Sequence, residues 1–223
     1  MTEPTHNAAQ PTTRVFVGRE QELGELKTAL DDAVEGHGRL AMLVGEPGIG
    51  KTRTAQELTA YAEGRGCQVY WGKCYEESGA PPYWPWVQAI RDYAQQAQPE
   101  QVQVDMGPGA ADIATIVPDI EAKLPGLPPP PALEPEQARF RLFDSITTFF
   151  KTAARSQPVV LVLDDLHWAD EPSLLLLRFM SQHLQDSCVI VVGCYRDVEL
   201  NRQHPLSATL AELSRGQGFQ RHL

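Results

Sequence analysis

Apolar residues occur along this chain either in short runs or at a spacing of three to four residues. Together these two patterns predict a sheet covered by helices. Continuous apolar runs predict buried strands at residues 40–44, 159–163 and 188–195, and two further strands are predicted at residues 67–74 and 219–223. Apolar residues that recur every three or four positions predict amphipathic helices at residues 18–35, 52–63, 85–97, 136–155, 173–184 and 205–213. Alternating strands and helices are typical of a parallel sheet between two helical layers. The predicted fold class is α/β, a three-layer sandwich.

Residues 99–135 have a weaker pattern. Short helical pieces are predicted near residues 111–116 and 118–123, before a proline-rich run at residues 125–131. That run is predicted to be a stiff surface connection and not a helix, because consecutive prolines favour an extended backbone. The helix that follows it is strongly amphipathic, with an apolar face that consists of Phe140, Phe143, Ile146, Phe150 and Ala154.

Composition limits the possible functions. The chain has 223 residues, of which 42% are hydrophobic and 22% charged, as in ordinary globular proteins. Its formal net charge of −10 predicts that this domain does not bind nucleic acid directly, since phosphate backbones are attracted to basic surfaces. No apolar stretch is long enough for a membrane span, and residues 1–13 are polar, so we expect a cytoplasmic protein without membrane contact. Residues 1–13 are predicted to be a disordered tail, and residues 14–223 one ordered core.

The four cysteines, Cys67, Cys74, Cys188 and Cys194, form no C-x-x-C pair, and each lies in or beside a strand-like run. Buried free thiols are therefore the favoured interpretation, with a zinc site as the alternative. A second group of residues, Tyr83, Trp84 and Trp86, is predicted to pack in the core and to cap a helix; a partner-binding patch is the alternative.

The segment between the first predicted strand and the next helix contains the most specific sequence motif of the chain. It reads Gly45, Glu46, Pro47, Gly48, Ile49, Gly50, Lys51 and Thr52, which matches the pattern G-x-x-x-x-G-K-[ST] of a phosphate-binding loop. In such a loop, backbone N–H groups surround the phosphates. Lys51 is predicted to bring its charge to the β- and γ-phosphates, and the Thr52 hydroxyl to bind Mg²⁺. We call residues 45–52 the phosphate loop.

Two carboxylates follow the apolar strand at residues 159–163. Ligands of parallel sheets bind beyond the carboxyl ends of the strands, so Asp164 and Asp165 should face the phosphate loop. Asp164 is predicted to hold Mg²⁺ and Asp165 to orient or activate an attacking water. The alternative for this pair is a helix N-cap or a turn.

Three further residues lie near the same edge of the predicted sheet. Arg196 follows the next strand and is predicted to reach the γ-phosphate, although a surface arginine in a turn would have the same sequence pattern. His167 and Trp168 follow the acid pair. We expect His167 to form a local hydrogen bond and Trp168 to pack.

Several segments, in this order, resemble one known family. They are residues 15–20 (VFVGRE), the phosphate loop, residues 82–86 (PYWPW), residues 163–170 (LDDLHWAD) and residues 195–196 (YR). Together they resemble the AAA ATPase domain, of the origin-recognition-like subgroup, of STAND signalling NTPases. Such domains occur in large LuxR-type transcription regulators, in some adenylate cyclases and in serine/threonine kinase fusions.

The resemblance implies a P-loop NTPase fold of the AAA/STAND type, with a five-stranded sheet in the order 5-1-4-3-2. It also implies that Val17, Gly18 and Arg19 lie along the adenine and ribose, and that Arg196 senses the γ-phosphate. Members of the family hold ADP when off and ATP when on. They normally continue into a lid, a winged-helix domain and an effector region. Residues 14–223 correspond to the ATPase core without the lid and winged helix. We expect either a piece of a longer parent, with ATP-dependent self-association or C-terminal effector domains, or an isolated core.

These observations predict a module that binds ATP with Mg²⁺ and hydrolyses it slowly, as a nucleotide switch in signal transduction or transcription regulation. Two alternatives remain. One is a nucleotide-dependent scaffold without hydrolysis, in which Asp165 only helps to position Mg²⁺. The other is a phosphotransferase that moves the γ-phosphate to a small molecule, because the same loop serves both reactions.

Overall fold

The computed structural model of the protein describes residues 19–76, 79–201, 203–215 and 219–222. The tail predicted at residues 1–13, and residue 223 of the last predicted strand, lie outside these ranges. The strands are β1 His37–Val44, β2 Gln68–Lys73, β3 Val159–Asp164, β4 Ser187–Tyr195 and β5 Phe219–His222. The α-helices are α1 Glu20–Val34, α2 Lys51–Gly64, α3 Trp84–Gln96, α4 Pro99–Met106, α5 Ala110–Ala114, α6 Asp119–Lys123, α7 Pro135–Ala153, α8 Glu171–Ser181 and α9 Pro205–Leu213. The predicted strands and long helices are confirmed, with ends that differ by a few residues.

The strands form one parallel sheet in the order β2-β3-β4-β1-β5. This is the order 5-1-4-3-2 implied by the family resemblance, and the predicted α/β fold class is confirmed. In the register of the sheet, Val44 lies beside Tyr195, and Lys73 lies beside Asp164. Since all strands run in one direction, their carboxyl ends share an edge. That edge carries the phosphate loop after β1, the acid pair after β3 and Arg196 after β4.

Successive side chains of β1 face two separate hydrophobic clusters, as the two-residue period of a strand requires. Ala41 and Leu43 pack with residues of α1 and α2 on one face of the sheet. Leu40 and Met42 belong to a larger cluster on the other face, which includes residues of α3, α7 and α8. The sheet is therefore covered by helices on both faces, as predicted.

The region between α3 and α7 differs in part from its prediction. Helix α4 was not predicted, yet Val102 and Met106 on it are fully buried. The short helices α5 and α6 lie close to their predicted positions. Residues 128–131 are exposed and have no regular structure, as predicted for the proline-rich run.

One residue assigned to the buried face of α7 is exposed. Phe140 is 63% exposed, whereas Phe143 and Ile146 on the same helix are buried. At about 100° per residue, Phe140 is rotated roughly 120° from Ile146, so it cannot share the centre of the buried face. Phe140 instead contacts Phe179 of α8, with ring centroids 5.4 Å apart.

Among the described helices, none combines the length and the apolar composition that a membrane span requires.

Candidate functional site

The phosphate loop connects β1 to α2 and has the backbone that its glycines permit. Gly48 and Gly50 have φ angles of 76° and 103°, in the left-handed region where other residues are strained. Gly50 is the N-cap of α2. The first N–H groups of a helix have no partner within it, and its N-terminus favours negative charge. The loop therefore has the local geometry expected of an anion-binding site.

Lys51 lies across this loop. Its side chain is buried, and its Nζ donates hydrogen bonds to the carbonyl oxygens of Gly45 at 2.8 Å and Glu46 at 2.9 Å. Burial lowers the pKa of Lys51, and the nearby positive charges of Arg196 and Arg19 lower it further. A negatively charged ligand beside the loop would compensate these positive charges, which fits the predicted contact with phosphate.

Thr52 and Asp164 are brought together from distant parts of the chain. The Thr52 hydroxyl donates a hydrogen bond to Asp164, with an Oγ1–Oδ2 distance of 3.1 Å. Asp164 is only 4% exposed. Burial raises the pKa of its carboxyl group, and the charge of Asp165 raises it further. A buried carboxylate beside a hydroxyl is a donor set that suits Mg²⁺, whose charge would stabilise the ionised form.

Asp165 lies in a turn, which was the alternative prediction for the acid pair. Its φ of 57° is in the left-handed region, and it precedes the short 3-10 helix Leu166–Trp168. Its side chain caps no N–H group of that helix. The carboxylate instead forms an ion pair with Lys73 at the end of β2, with an Nζ–Oδ2 distance of 3.6 Å. The backbone is thus that of a turn, while the side chain pairs with Lys73 and not with an N–H group of the turn.

Arg196 contacts residues other than the phosphate loop. Its Nη1 donates a hydrogen bond to Glu199 at 2.8 Å, and its guanidinium carbon lies 5.0 Å from the centre of the Trp168 ring. The hydrogen bond to Glu199 raises the pKa of Arg196. Glu199 was not predicted as a site residue, because spacing of three residues indicates a side-chain pair only within a helix, and no helix was predicted at residues 196–199.

The prediction of a local hydrogen bond for the His167 ring is wrong. The ring is completely buried, and within the described residues neither ring nitrogen has a hydrogen-bond partner. Its Nε2 lies 3.4 Å from Glu199 Oε2 and 3.9 Å from Asp165 Oδ1. Burial lowers the pKa of His167. Trp168 packs against the larger hydrophobic cluster, as predicted.

Arg19 lies against the phosphate loop. Its side chain is buried, and its Nη1 has no hydrogen-bond partner in the part of the chain that the structure describes. A Cβ atom on Gly45 would lie 3.4 Å from Arg19 Nη2, so the guanidinium borders the start of the loop. A buried, unpaired N–H group at this position fits an anionic ligand. Val17 and Gly18, which the resemblance assigns to the adenine and ribose, lie outside the described residues.

The remaining assigned residues of the loop are on its surface. Glu46, Pro47, Gly48 and Ile49 are exposed, as expected for residues whose contribution to binding comes from the backbone. Away from the loop, all four cysteines are free thiols, but Cys188 is only half-buried. Trp86 is fully buried, and its indole N–H donates to the carbonyl oxygen of Ser173 at 3.2 Å. Tyr83 and Trp84 are partly buried and pack against the same hydrophobic cluster, as predicted.

Residues 15–192 match the family model of the AAA ATPase domain. Cdc6p from Pyrobaculum aerophilum has a similar structure, with a TM-score of 0.53 and 16% identity over 95% of this chain and 47% of that chain. The ORC2 protein of Aeropyrum pernix, solved in ADPNP-ADP complexes, has a TM-score of 0.49 and 18% identity over 98% of this chain and 50% of that chain. The present chain thus spans about half the length of these two proteins. No curated protein sequence matches it.

Proposed function

The chain belongs to the AAA ATPase domain family, and from this premise we propose that it binds ATP with Mg²⁺ and hydrolyses it slowly as a nucleotide switch. The observation that carries the proposal is the contact between Thr52 and Asp164, at 3.1 Å, beside the buried amino group of Lys51. Lys51 and Thr52 follow β1, and Asp164 ends β3, so these three residues from two segments of the chain lie at the same edge of the sheet.

Each residue has a role that its surroundings support. The backbone of the phosphate loop and Lys51 would hold the β- and γ-phosphates, and Arg19 would add a second positive charge. Thr52 and Asp164 would hold Mg²⁺. When bound, Mg²⁺ supplies positive charge that neutralises the phosphate oxygens.

Asp165 is the proposed general base for hydrolysis. Its carboxylate would accept a hydrogen bond from a water molecule and take its proton as the water oxygen bonds to the γ-phosphorus. The bond between that phosphorus and the bridging oxygen breaks, which gives ADP and inorganic phosphate. Lys73, 3.6 Å from Asp165, would fix the orientation of the carboxylate.

The proposed switch would act in signal transduction or transcription regulation. The resemblance of residues 163–170 and 195–196 to STAND NTPases supports a role in signal transduction or transcription regulation. In that role the nucleotide state would control C-terminal effector domains or self-association. Direct DNA binding would not belong to this domain, because its net charge is −10.

Calorimetry with Lys51→Ala tests nucleotide binding. We expect the variant to bind ATP at least about tenfold more weakly than the wild type, since it loses a charge-assisted contact with phosphate. Lys151→Ala is the matched control, because Lys151 donates to the carbonyl oxygen of His183 away from the site. Equal ATP affinity in the wild type and Lys51→Ala would contradict the proposal.

Turnover of Asp165→Asn separates hydrolysis from its alternatives. We expect a loss of about 10²-fold or more in the rate of phosphate release, with ATP still bound. Equal turnover in wild type and variant would favour a scaffold without hydrolysis. ATP labelled at the γ-phosphate checks the other alternative, because label on a molecule other than free phosphate would indicate a phosphotransferase.

A further inference from the structure

The arginine assigned to the γ-phosphate already has a carboxylate partner. Glu199, at the end of the short 3-10 helix Asp197–Glu199, accepts a hydrogen bond from Arg196 Nη1 at 2.8 Å. The guanidinium also lies over the ring of Trp168. In this arrangement the positive charge of Arg196 is neutralised by a residue of its own chain.

The second oxygen of Glu199 faces the buried ring of His167, which has close carboxylate neighbours but no hydrogen bond among the described residues. Glu199 Oε2 lies 3.4 Å from His167 Nε2, and neither nitrogen of that ring is hydrogen-bonded among the described residues. A buried N–H group without a partner costs free energy, so a hydrogen bond from His167 to Glu199 would be favourable. A small movement of Glu199 towards His167 would make this bond and weaken its contact with Arg196.

We propose that Glu199 is a latch on Arg196, with His167 as its alternative partner. In the closed state Glu199 holds Arg196 over Trp168. In the open state Glu199 accepts a hydrogen bond from His167, and Arg196 is free to contact the γ-phosphate. The latch rests on the proposed function, since it regulates how that same site distinguishes ATP from ADP.

The strength of the latch suits a reversible switch. The side chains of Arg196 and Glu199 are 27% and 33% exposed, and ion pairs near solvent are weak. A γ-phosphate carries more negative charge than one carboxylate, so it can compete with Glu199 for the guanidinium. Only ATP offers a γ-phosphate, so ATP shifts the population towards the open state, whereas ADP leaves the latch closed.

Glu199→Gln tests the latch as a positioning residue. We expect a non-hydrolysable ATP analogue with Mg²⁺ to bind roughly two- to fivefold more tightly, since the competing ion pair is lost, and ADP affinity to stay unchanged. Calorimetry measures both affinities. Glu212→Gln is the matched control, because it removes the carboxylate partner of Arg178 in a groove lined by α7, α8 and α9 and should change neither value.

The same substitution in an Arg196→Ala background distinguishes a latch from a general charge effect. Without Arg196 to release, Glu199→Gln should no longer change the affinity for the ATP analogue. Tighter binding in that background, an equal gain for ATP analogue and ADP, or no change in either would each overturn the latch. Failure of the wild type to bind either nucleotide would instead overturn the proposed function.

Discussion

Single residues of the candidate site carry charges that protein interiors normally exclude. Arg19, Lys51 and Asp164 are all buried at the carboxyl edge of the sheet. Burying a charge costs free energy unless other groups compensate it. Anionic phosphates would compensate the two cations, and Mg²⁺ would compensate the carboxylate. Ligand binding should therefore stabilise the fold as well as support its function.

Asp164→Asn should stabilise the protein without ligands. Burial and the charge of Asp165 both raise the pKa of Asp164, so the ionised form is disfavoured in the folded state. Asparagine is neutral and keeps an oxygen that can accept the hydrogen bond from Thr52. We expect the free energy of unfolding in urea to rise by about 1 kcal/mol.

Asp144→Asn is the control for this prediction, because Asp144 is exposed on α7 and should change stability by less than about 0.5 kcal/mol. Mg²⁺ with ATP should then stabilise the wild type more than Asp164→Asn. A less stable Asp164→Asn variant would show that the carboxylate is favourable where it lies.

Positions that depend on fixed spacing were predictable from the sequence, whereas contacts that depend on side-chain direction were not. Lys51 and Thr52 follow a glycine loop, and Asp164 follows a buried strand, so their neighbourhood was predictable. The direction of Arg196 was not, because a long side chain has many rotamers and its partners include Trp168, far away in sequence. No sequence pattern indicates that the ring of His167 is buried without a hydrogen bond.

At the scale of secondary-structure elements, β2 and α3 approach each other closely at Gly72. A Cβ atom on Gly72 of β2 would lie 2.1 Å from the carbonyl oxygen of Pro85 in the first turn of α3. Tyr70 of β2 also contacts Tyr93 of α3, with ring centroids 5.8 Å apart. A glycine in a strand can mark a bulge or a close backbone approach, and the sequence alone did not distinguish them.

Gly72→Ala should destabilise the protein by about 3 kcal/mol, because the added methyl group would push α3 away from the sheet. Gly24→Ala is the matched control: Gly24 lies inside α1, and an added Cβ would meet no atom within 4 Å. That change should stabilise the protein by up to about 1 kcal/mol, since alanine favours helices. Urea denaturation checks both, and similar stabilities for the two variants would contradict the close contact.

Helix α4 illustrates why a short element escaped prediction. Its buried face includes Asp105, which accepts a hydrogen bond from the hydroxyl of Tyr93 in α3. A buried carboxylate interrupts the apolar period that predicts an amphipathic helix. Only Val102 and Met106 remain as apolar buried positions on this helix, too few to indicate it.

At the scale of the whole molecule, the topology of the sheet assembles the site. Alternating strands and helices predicted a parallel sheet, but the spacing of apolar residues does not indicate which strands are neighbours in it. The order followed from the family resemblance and is confirmed by the sheet. With β1 between β4 and β5, and β3 beside β4, the phosphate loop and the acid pair lie at the same edge.

The overall charge predicts weak attraction to DNA. With a net charge of −10, we expect the domain to bind a fluorescent DNA duplex with a dissociation constant above about 100 µM at physiological salt. Fluorescence anisotropy measures this, with a basic DNA-binding protein as the positive control. Saturable binding at about 1 µM would contradict the prediction and indicate a local basic surface that net charge does not reveal.

The stack of Arg196 on Trp168 gives the protein an optical probe of its own. Indole emission depends on nearby charge, so departure of the guanidinium from the ring should change the emission of Trp168. Trp84 also lies under an arginine, Arg91, and lines the same cavity as Trp168, so a Trp84→Phe background isolates the emission of Trp168. Rapid mixing with nucleotide could therefore time the movement of Arg196 without any attached dye.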